Sequence, residues 1–173
     1  EKEEYDALNS GNAVDGDTSA WNYLNSIATT RNLSIRSNYE AVAGYLDIPA
    51  LIDYMIINIY GCNADWPHHN WYAARKREAG AQYRFFSWDA ERTLEDKYCN
   101  NSSVSNTNSP AVFYDRLRAN EEFRLLFADH LQKHFFNGGV MTPAAITERW
   151  MARAHEIEKA IVCESARWGD YRR

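Results

Sequence analysis

The chain has 173 residues, 45% of them hydrophobic and 14% aromatic, with 24 acids against 19 bases and a net charge of −5. That is one domain's length with enough apolar material for a core, which excludes a disordered chain and a coiled coil. No apolar run approaches the roughly 18–20 residues of a membrane-spanning helix, and the acidic balance argues against nucleic acid or an anionic membrane as partner. Cys62, Cys99 and Cys163 are odd in number and lack Cys-x-x-Cys spacing. They indicate neither a zinc knuckle nor a full disulfide framework, and they leave the redox compartment open.

In chain order, the segment before Asp47 reads as helical, and no strand is expected in it. Asp17 or Thr18 caps a helix to about Thr30, with Trp21, Leu24 and Ile27 on one stripe. Asp47-Ile48-Pro49 is a helix start, an Asp cap followed by Pro where no amide partner is needed. From there Leu51, Ile52, Met55, Ile56 and Ile59 hold helical spacing to Tyr60, and Gly61 ends the run. Residues 61–70 are loop. Aromatic-rich runs at 70–75 and 82–88, parted by charges and Gly80, predict a hairpin. Residues 97–110 form a long polar loop. After Pro110 the pattern is helical to about Asn137 and offers Phe113, Leu117, Phe123, Leu126, Phe127 and Leu131 to the core. Thr142-Pro143 starts a last helix, whose face of Ile146, Trp150, Ala154, Ile157 and Ile161 is expected to seal onto that core until Gly169. The fold class is mainly α with a small β-hairpin, an α+β chain.

The chemistry concentrates between Gly61 and Glu95. Asp65 and Asn70 stand five residues apart on a loop, a hairpin follows, and Asp89 comes just after its second strand. Phosphoryl transfer calls for such a set. One carboxylate orients the attacking hydroxyl and accepts its proton. A carboxamide oxygen facing the same pocket ligates a hard cation. A second carboxylate, returned by the hairpin, clamps a Mg²⁺ that bridges nucleotide phosphates. The Asp-x-x-x-x-Asn spacing equals that of the eukaryotic kinase catalytic loop.

Gly61-Cys62-Asn63-Ala64-Asp65-Trp66-Pro67-x-x-Asn70-Trp71-Tyr72, followed by Phe86-Ser87-Trp88-Asp89-Ala90-Glu91, resembles the CotH kinase family, the spore-coat-protein-H type of atypical secreted kinase. Asp53-Tyr54-x-Ile56-Ile57-Asn58 resembles the helix before that loop, and Glu164-Ser165-Ala166-Arg167-Trp168-Gly169 the closing helix. The resemblance implies the C-lobe of an atypical protein-kinase-like fold. It implies Asp65 as the catalytic carboxylate of the loop, Asn70 and Asp89 as metal and nucleotide ligands, and Mg²⁺ and ATP as cofactors. The implied partners are ATP and a protein carrying the acceptor Ser or Thr hydroxyl, and the implied setting is extracytoplasmic, at the cell surface or spore coat. Two departures stand out. Glu91 occupies the position where the family carries a second Asp, so its metal role is open. Upstream, the family's Arg-Gly stretch and nucleotide-binding Lys are not visible, since Lys2 is the sole lysine before Lys76. Residues 1–173 are therefore expected to be a single domain, the C-lobe, with the N-lobe absent from this chain and the chain inactive by itself.

Two other classes compete. One is a non-catalytic cell-surface or spore-coat structural module built on a kinase-like lobe. The other is a metallohydrolase using His68 and His69 beside Asp65, although adjacent histidines point apart and no His-x-His spacing supports it. Trp66, Trp71, Tyr72 and Trp88 could form a stacking platform, but packing around the hairpin is the plainer expectation.

Overall fold

The computed structural model describes residues 4–103 and 109–169. Lys2 and the centre of the polar loop, residues 104–108, lie outside them. In chain order the elements are β1 (Tyr5–Asn9), β2 (Asn12–Asp15), α1 (Ser19–Thr30), α2 (Arg36–Ala43), α3 (Ile48–Tyr60), β3 (Trp71–Lys76), β4 (Arg84–Ser87), α4 (Pro110–Leu117), α5 (Glu121–Phe135) and α6 (Pro143–Trp168). The chain divides into two compact units, Glu1–Ala128 and Asp129–Arg173.

The fold is mainly helical with one antiparallel sheet, ordered β2-β1-β3-β4. The expected hairpin is there as β3–β4, with Ala73 opposite Phe85 and Trp71 opposite Ser87. The sheet is nevertheless twice the expected size, because a second hairpin precedes α1. Strand β1 lies against β3, with Leu8 opposite Ala73, and turns into β2 through Ser10 and Gly11 at φ 48° and 87°. Two successive positive φ values give the reversal whose twist suits a two-residue hairpin. The reading of this segment as strand-free is thus corrected, and the reason is physical. The inward positions of β1 are Asp6 and Leu8, and a charge at one of them hides the apolar alternation. Asp6 is only 4% exposed, held by Arg77 Nε at 3.0 Å and by Arg75 at 3.6 Å.

Helix α3 begins as its sequence dictates: the Asp47 carboxylate accepts from the Ala50 amide at 3.0 Å, with Pro49 in the first turn. Leu51, Ile52 and Met55 of α3 are buried, as are Trp21, Leu24 and Ile27 of α1. These helices cover the inner face of the sheet, which presents Leu8, Trp71, Ala73 and Phe85. Trp21 is the hub, with its ring 5.7 Å from Trp71 and 5.4 Å from Phe113 of α4. The helical stretch after Pro110 is two helices. Asn120 interrupts it, its carboxamide accepting from the Glu122 amide at 3.0 Å and donating to the Leu33 carbonyl at 2.8 Å. Phe113, Leu117 and Phe123 are buried as expected. Leu126 and Phe127 are half-buried, whereas Leu131 is exposed.

The last helix starts as expected, with the Thr142 hydroxyl capping the Ala145 amide. Its apolar face is not buried: no residue of α6 is buried, and Trp150, Ile157 and Ile161 are all exposed. The period of a helix says which side avoids water. It does not supply the surface that would cover that side.

Candidate active site

The site grows out of the C-terminal end of α3. Asn58 is a polar residue on this apolar helix, and it is 3% exposed. Its Nδ2 donates to the Tyr54 carbonyl at 2.8 Å and to Ser87 Oγ of β4 at 3.1 Å. Its Oδ1 accepts from Asn63 Nδ2 at 3.0 Å. Asn63, 1% exposed, turns its own Oδ1 to the backbone amides of Asp65 at 3.2 Å and Trp66 at 3.4 Å. A side-chain carbonyl accepting from the amide two residues on is an Asx-turn, and this one opens the loop that carries Asp65.

Asp65 is partly buried, its side chain 18% exposed. Asn70 closes the loop with φ 62°, a left-handed backbone that Asn tolerates better than most residues. Its side-chain amide reaches two groups, Asp65 Oδ2 at 3.4 Å and the Asp89 carbonyl at 3.2 Å. The Asn70 carbonyl accepts from the Trp88 amide at 3.2 Å, so the start of β3 is stitched to the residue before Asp89. The structure therefore brings Asp65, Asn70 and the backbone of Asp89 together. Asp89 has φ 49°, and its side chain is exposed, as is that of Glu91. Among the described residues, Asp65, Asp89 and Glu91 do not form a group in which one carboxylate oxygen from each lies within 4.8 Å of the others. The donors on offer are the Asn70 carboxamide oxygen and two exposed carboxylates, all hard oxygens that suit Mg²⁺ and leave room for phosphate and water.

The segment after Asp89 folds back over the loop. The Ala64 amide donates to the Arg92 carbonyl at 2.9 Å, and the Leu94 amide to the Gly61 carbonyl at 2.7 Å. Cys62 and Cys99 form a disulfide with Cα atoms 6.2 Å apart, and Asn101 Nδ2 donates to the Asn63 carbonyl at 3.2 Å. Hydrogen bonding to Glu95, then the charges of Glu95 and Asp65, hold the Arg92 guanidinium even more firmly protonated than usual.

His69 Nε2 lies 3.8 Å from Asp65 Oδ1. Neither His68 nor His69 joins a group with metal-ligand geometry among the described residues. Trp66 and Trp71 are core side chains, 2% and 1% exposed, while Tyr72 and Trp88 meet edge to face at 5.9 Å on the outer side of the sheet.

The family model of the CotH kinase protein matches residues 1–173, the whole chain. The chain belongs to the CotH kinase family. No curated protein and no solved structure matches it. Sequence reasoning on this CotH-family chain missed three supports of the site: Asn63, Asn58 with Ser87, and the Cys62–Cys99 bond. Asn63 two residues before Asp65 is an Asx-turn signal in plain view. The roles of Asn58 and Ser87 depend on a contact across 29 residues, which no local pattern carries.

Proposed function

We propose that this CotH-family chain forms the C-lobe of an atypical kinase that transfers the terminal phosphoryl group of ATP to a protein Ser or Thr hydroxyl. The observation that carries the reading is the Asn70 side chain. One amide nitrogen is shared between the Asp65 carboxylate and the Asp89 carbonyl, at 3.4 and 3.2 Å, and no described residue donates to its Oδ1. A residue so held can orient a base with one end and ligate a cation with the other.

Asp65 takes the part of the base: it accepts a hydrogen bond from the acceptor hydroxyl, aligns its oxygen and receives its proton as the new O–P bond forms and the bond from the γ-phosphorus to the β–γ bridging oxygen breaks, with ADP leaving on that oxygen. Asn70 restrains the carboxylate for that task. Asn70 and Asp89, with Glu91 as a further oxygen donor, would hold Mg²⁺, which would supply positive charge to offset that of the nucleotide phosphates. Arg92 keeps a fixed positive charge near Asp65. No lysine other than Lys2 precedes Lys76 to grip the α- and β-phosphates, so turnover by these 173 residues alone is expected to be slow; orientation accounts for roughly 7–11 kcal/mol of such barriers. The disulfide supports an oxidising, extracytoplasmic setting such as a cell surface or spore coat, and no helix among the described residues is long and apolar enough to cross a membrane.

The test is calorimetry of Mg²⁺ and ATP binding together with a phosphate-transfer assay on protein acceptors, run on these 173 residues and on the full-length protein that contains them. Metal-dependent nucleotide binding with transfer to Ser or Thr by the full-length protein, and little transfer by the 173 residues alone, is the expected result. Nucleotide binding without transfer to any acceptor would favour a non-catalytic surface module, and Zn²⁺-dependent hydrolysis without nucleotide would overturn the reading.

A further inference from the structure

We propose that Asn63, braced by Asn58, is a positioning residue for Asp65, and that the buried relay Asn63–Asn58–Ser87 sets Asp65 and Asp89 in register. The inference rests on the reading of Asp65 as the base. Three observations carry it. Asn63 and Asn58 are 1% and 3% exposed, and burying two carboxamides costs free energy unless their groups are paired. Here both are paired: Asn63 Nδ2 donates to Asn58 Oδ1 at 3.0 Å, and Asn58 Nδ2 donates to Ser87 Oγ and the Tyr54 carbonyl at 3.1 and 2.8 Å. The remaining acceptor, Asn63 Oδ1, is spent on the amide of Asp65 itself and on that of Trp66, at 3.2 and 3.4 Å. The other end of the relay is Ser87, the last residue of β4, two residues before Asp89. One rigid helix, α3, thereby ties the loop of the base to the strand that delivers the metal acid.

An apolar pair would fill this volume as well and would not fix the turn. What the carboxamides add is direction: an acceptor at one point in the core, aimed at one amide. A shift of the Asp65 backbone by about an ångström would be enough to cost some 100-fold in rate.

The experiment compares Asn63→Ala with Asn63→Asp, which keeps the acceptor of the turn but gives up the donor to Asn58 Oδ1 and buries a carboxylate, in the full-length protein that contains these residues. Amide hydrogen exchange is read first. Asn63→Ala is expected to speed exchange about tenfold or more at Asp65 and Trp66 while amides in α1 and the middle of α3 keep their protection, and Asn63→Asp to return only part of it, because the bond to Asn58 is still missing. In phosphate transfer, Asn63→Ala is expected to lower kcat about 100-fold with the KM for nucleotide nearly unchanged, and Asn63→Asp to recover the rate only in part. Unchanged exchange at Asp65 and Trp66 in Asn63→Ala would overturn the proposal, as would a rise in KM with kcat intact. If Asn63→Ala does not fold, Ser87→Ala, which removes only the outer bond of the relay, is expected to loosen the same two amides selectively, and no selective loosening would overturn it. If the native protein transfers no phosphate, the kinase reading fails, while the exchange measurement still decides whether Asn63 positions Asp65.

Discussion

The amide nitrogen of Asn70 lies 3.4 Å from the Asp65 carboxylate, and the same nitrogen lies 3.2 Å from the Asp89 carbonyl. This shared donor divides the labour of the three residues. Under the proposed reading Asp65 would accept from the substrate hydroxyl, and the exposed Asp89 carboxylate would be left for a cation. Their substitutions therefore have different signatures. Asp65→Asn is expected to lower kcat by several orders of magnitude and leave nucleotide affinity nearly intact, whereas Asp89→Asn abolishes Mg²⁺-dependent nucleotide binding. Steady-state kinetics with calorimetry separates the two. Collapse of affinity in Asp65→Asn would make Asp65 a metal ligand, and native turnover in Asp89→Asn would remove Asp89 from the site.

The disulfide joins residues 37 apart in sequence, Cys62 next to the Asx-turn and Cys99 beyond Asp89. Closing a loop of that length restricts the unfolded chain, and Cys99→Ser is expected to cost about 2–4 kcal/mol in urea unfolding under oxidising conditions. The same titration with reductant present checks it: the native protein should lose that difference and the variant should not respond. Equal stability with and without reductant would mean that the bond restrains little.

Two tryptophans with similar sequence credentials should behave in opposite ways. Trp71 is 1% exposed and stacks with Trp21 and Phe85, so Trp71→Ala is expected to cost about 3–5 kcal/mol. Trp150 is 68% exposed on α6, so Trp150→Ala is expected to change stability by no more than about 0.5 kcal/mol. Denaturant titration of both decides. A large loss at Trp150 would mean that its face is covered in solution.

Burial, with the Asp6 charge adding to it, pushes the Tyr83 phenol up to about 12 from the usual 10, and burial also raises the Tyr54 phenol strongly. A phenol held protonated in the folded state favours folding fully below pH 10, where both states keep the proton. Above pH 10 the unfolded chain ionises first, and the advantage drains away until the folded pKa is passed. Stability should thus fall between about pH 10 and 12, and Tyr83→Phe should flatten that fall by about 2–3 kcal/mol. Thermal unfolding followed across this window measures it. An unchanged slope in Tyr83→Phe would show that the phenol ionises as freely in the fold as out of it.

Local signals determined a good deal by themselves. The Asp47 cap with Pro49 placed α3, Thr142 with Pro143 started α6, and the aromatic runs on either side of Gly80 made β3 and β4. The Asp65 and Asn70 spacing and the Trp88-Asp89 pair, read from residue types alone, singled out residues that the fold brings near one another, with Asn70 Nδ2 reaching Asp65 Oδ2 and the Asp89 carbonyl. Each of these depends on interactions within a few residues, so the linear order carries them. Other features required the folded chain. Strand β1 was hidden because its inward Asp6 becomes tolerable only when Arg75 and Arg77, some 70 residues on, come to meet it. The apolar face of α6 could be read, but its exposure could not, since amphipathicity does not name a partner. The Asn63–Asn58–Ser87 relay and the Cys62–Cys99 bond pair groups that only the packing of α3 against β4 and the return of the later loop bring within reach. Residue types set which groups could do chemistry here; long-range packing decided which of them were aimed.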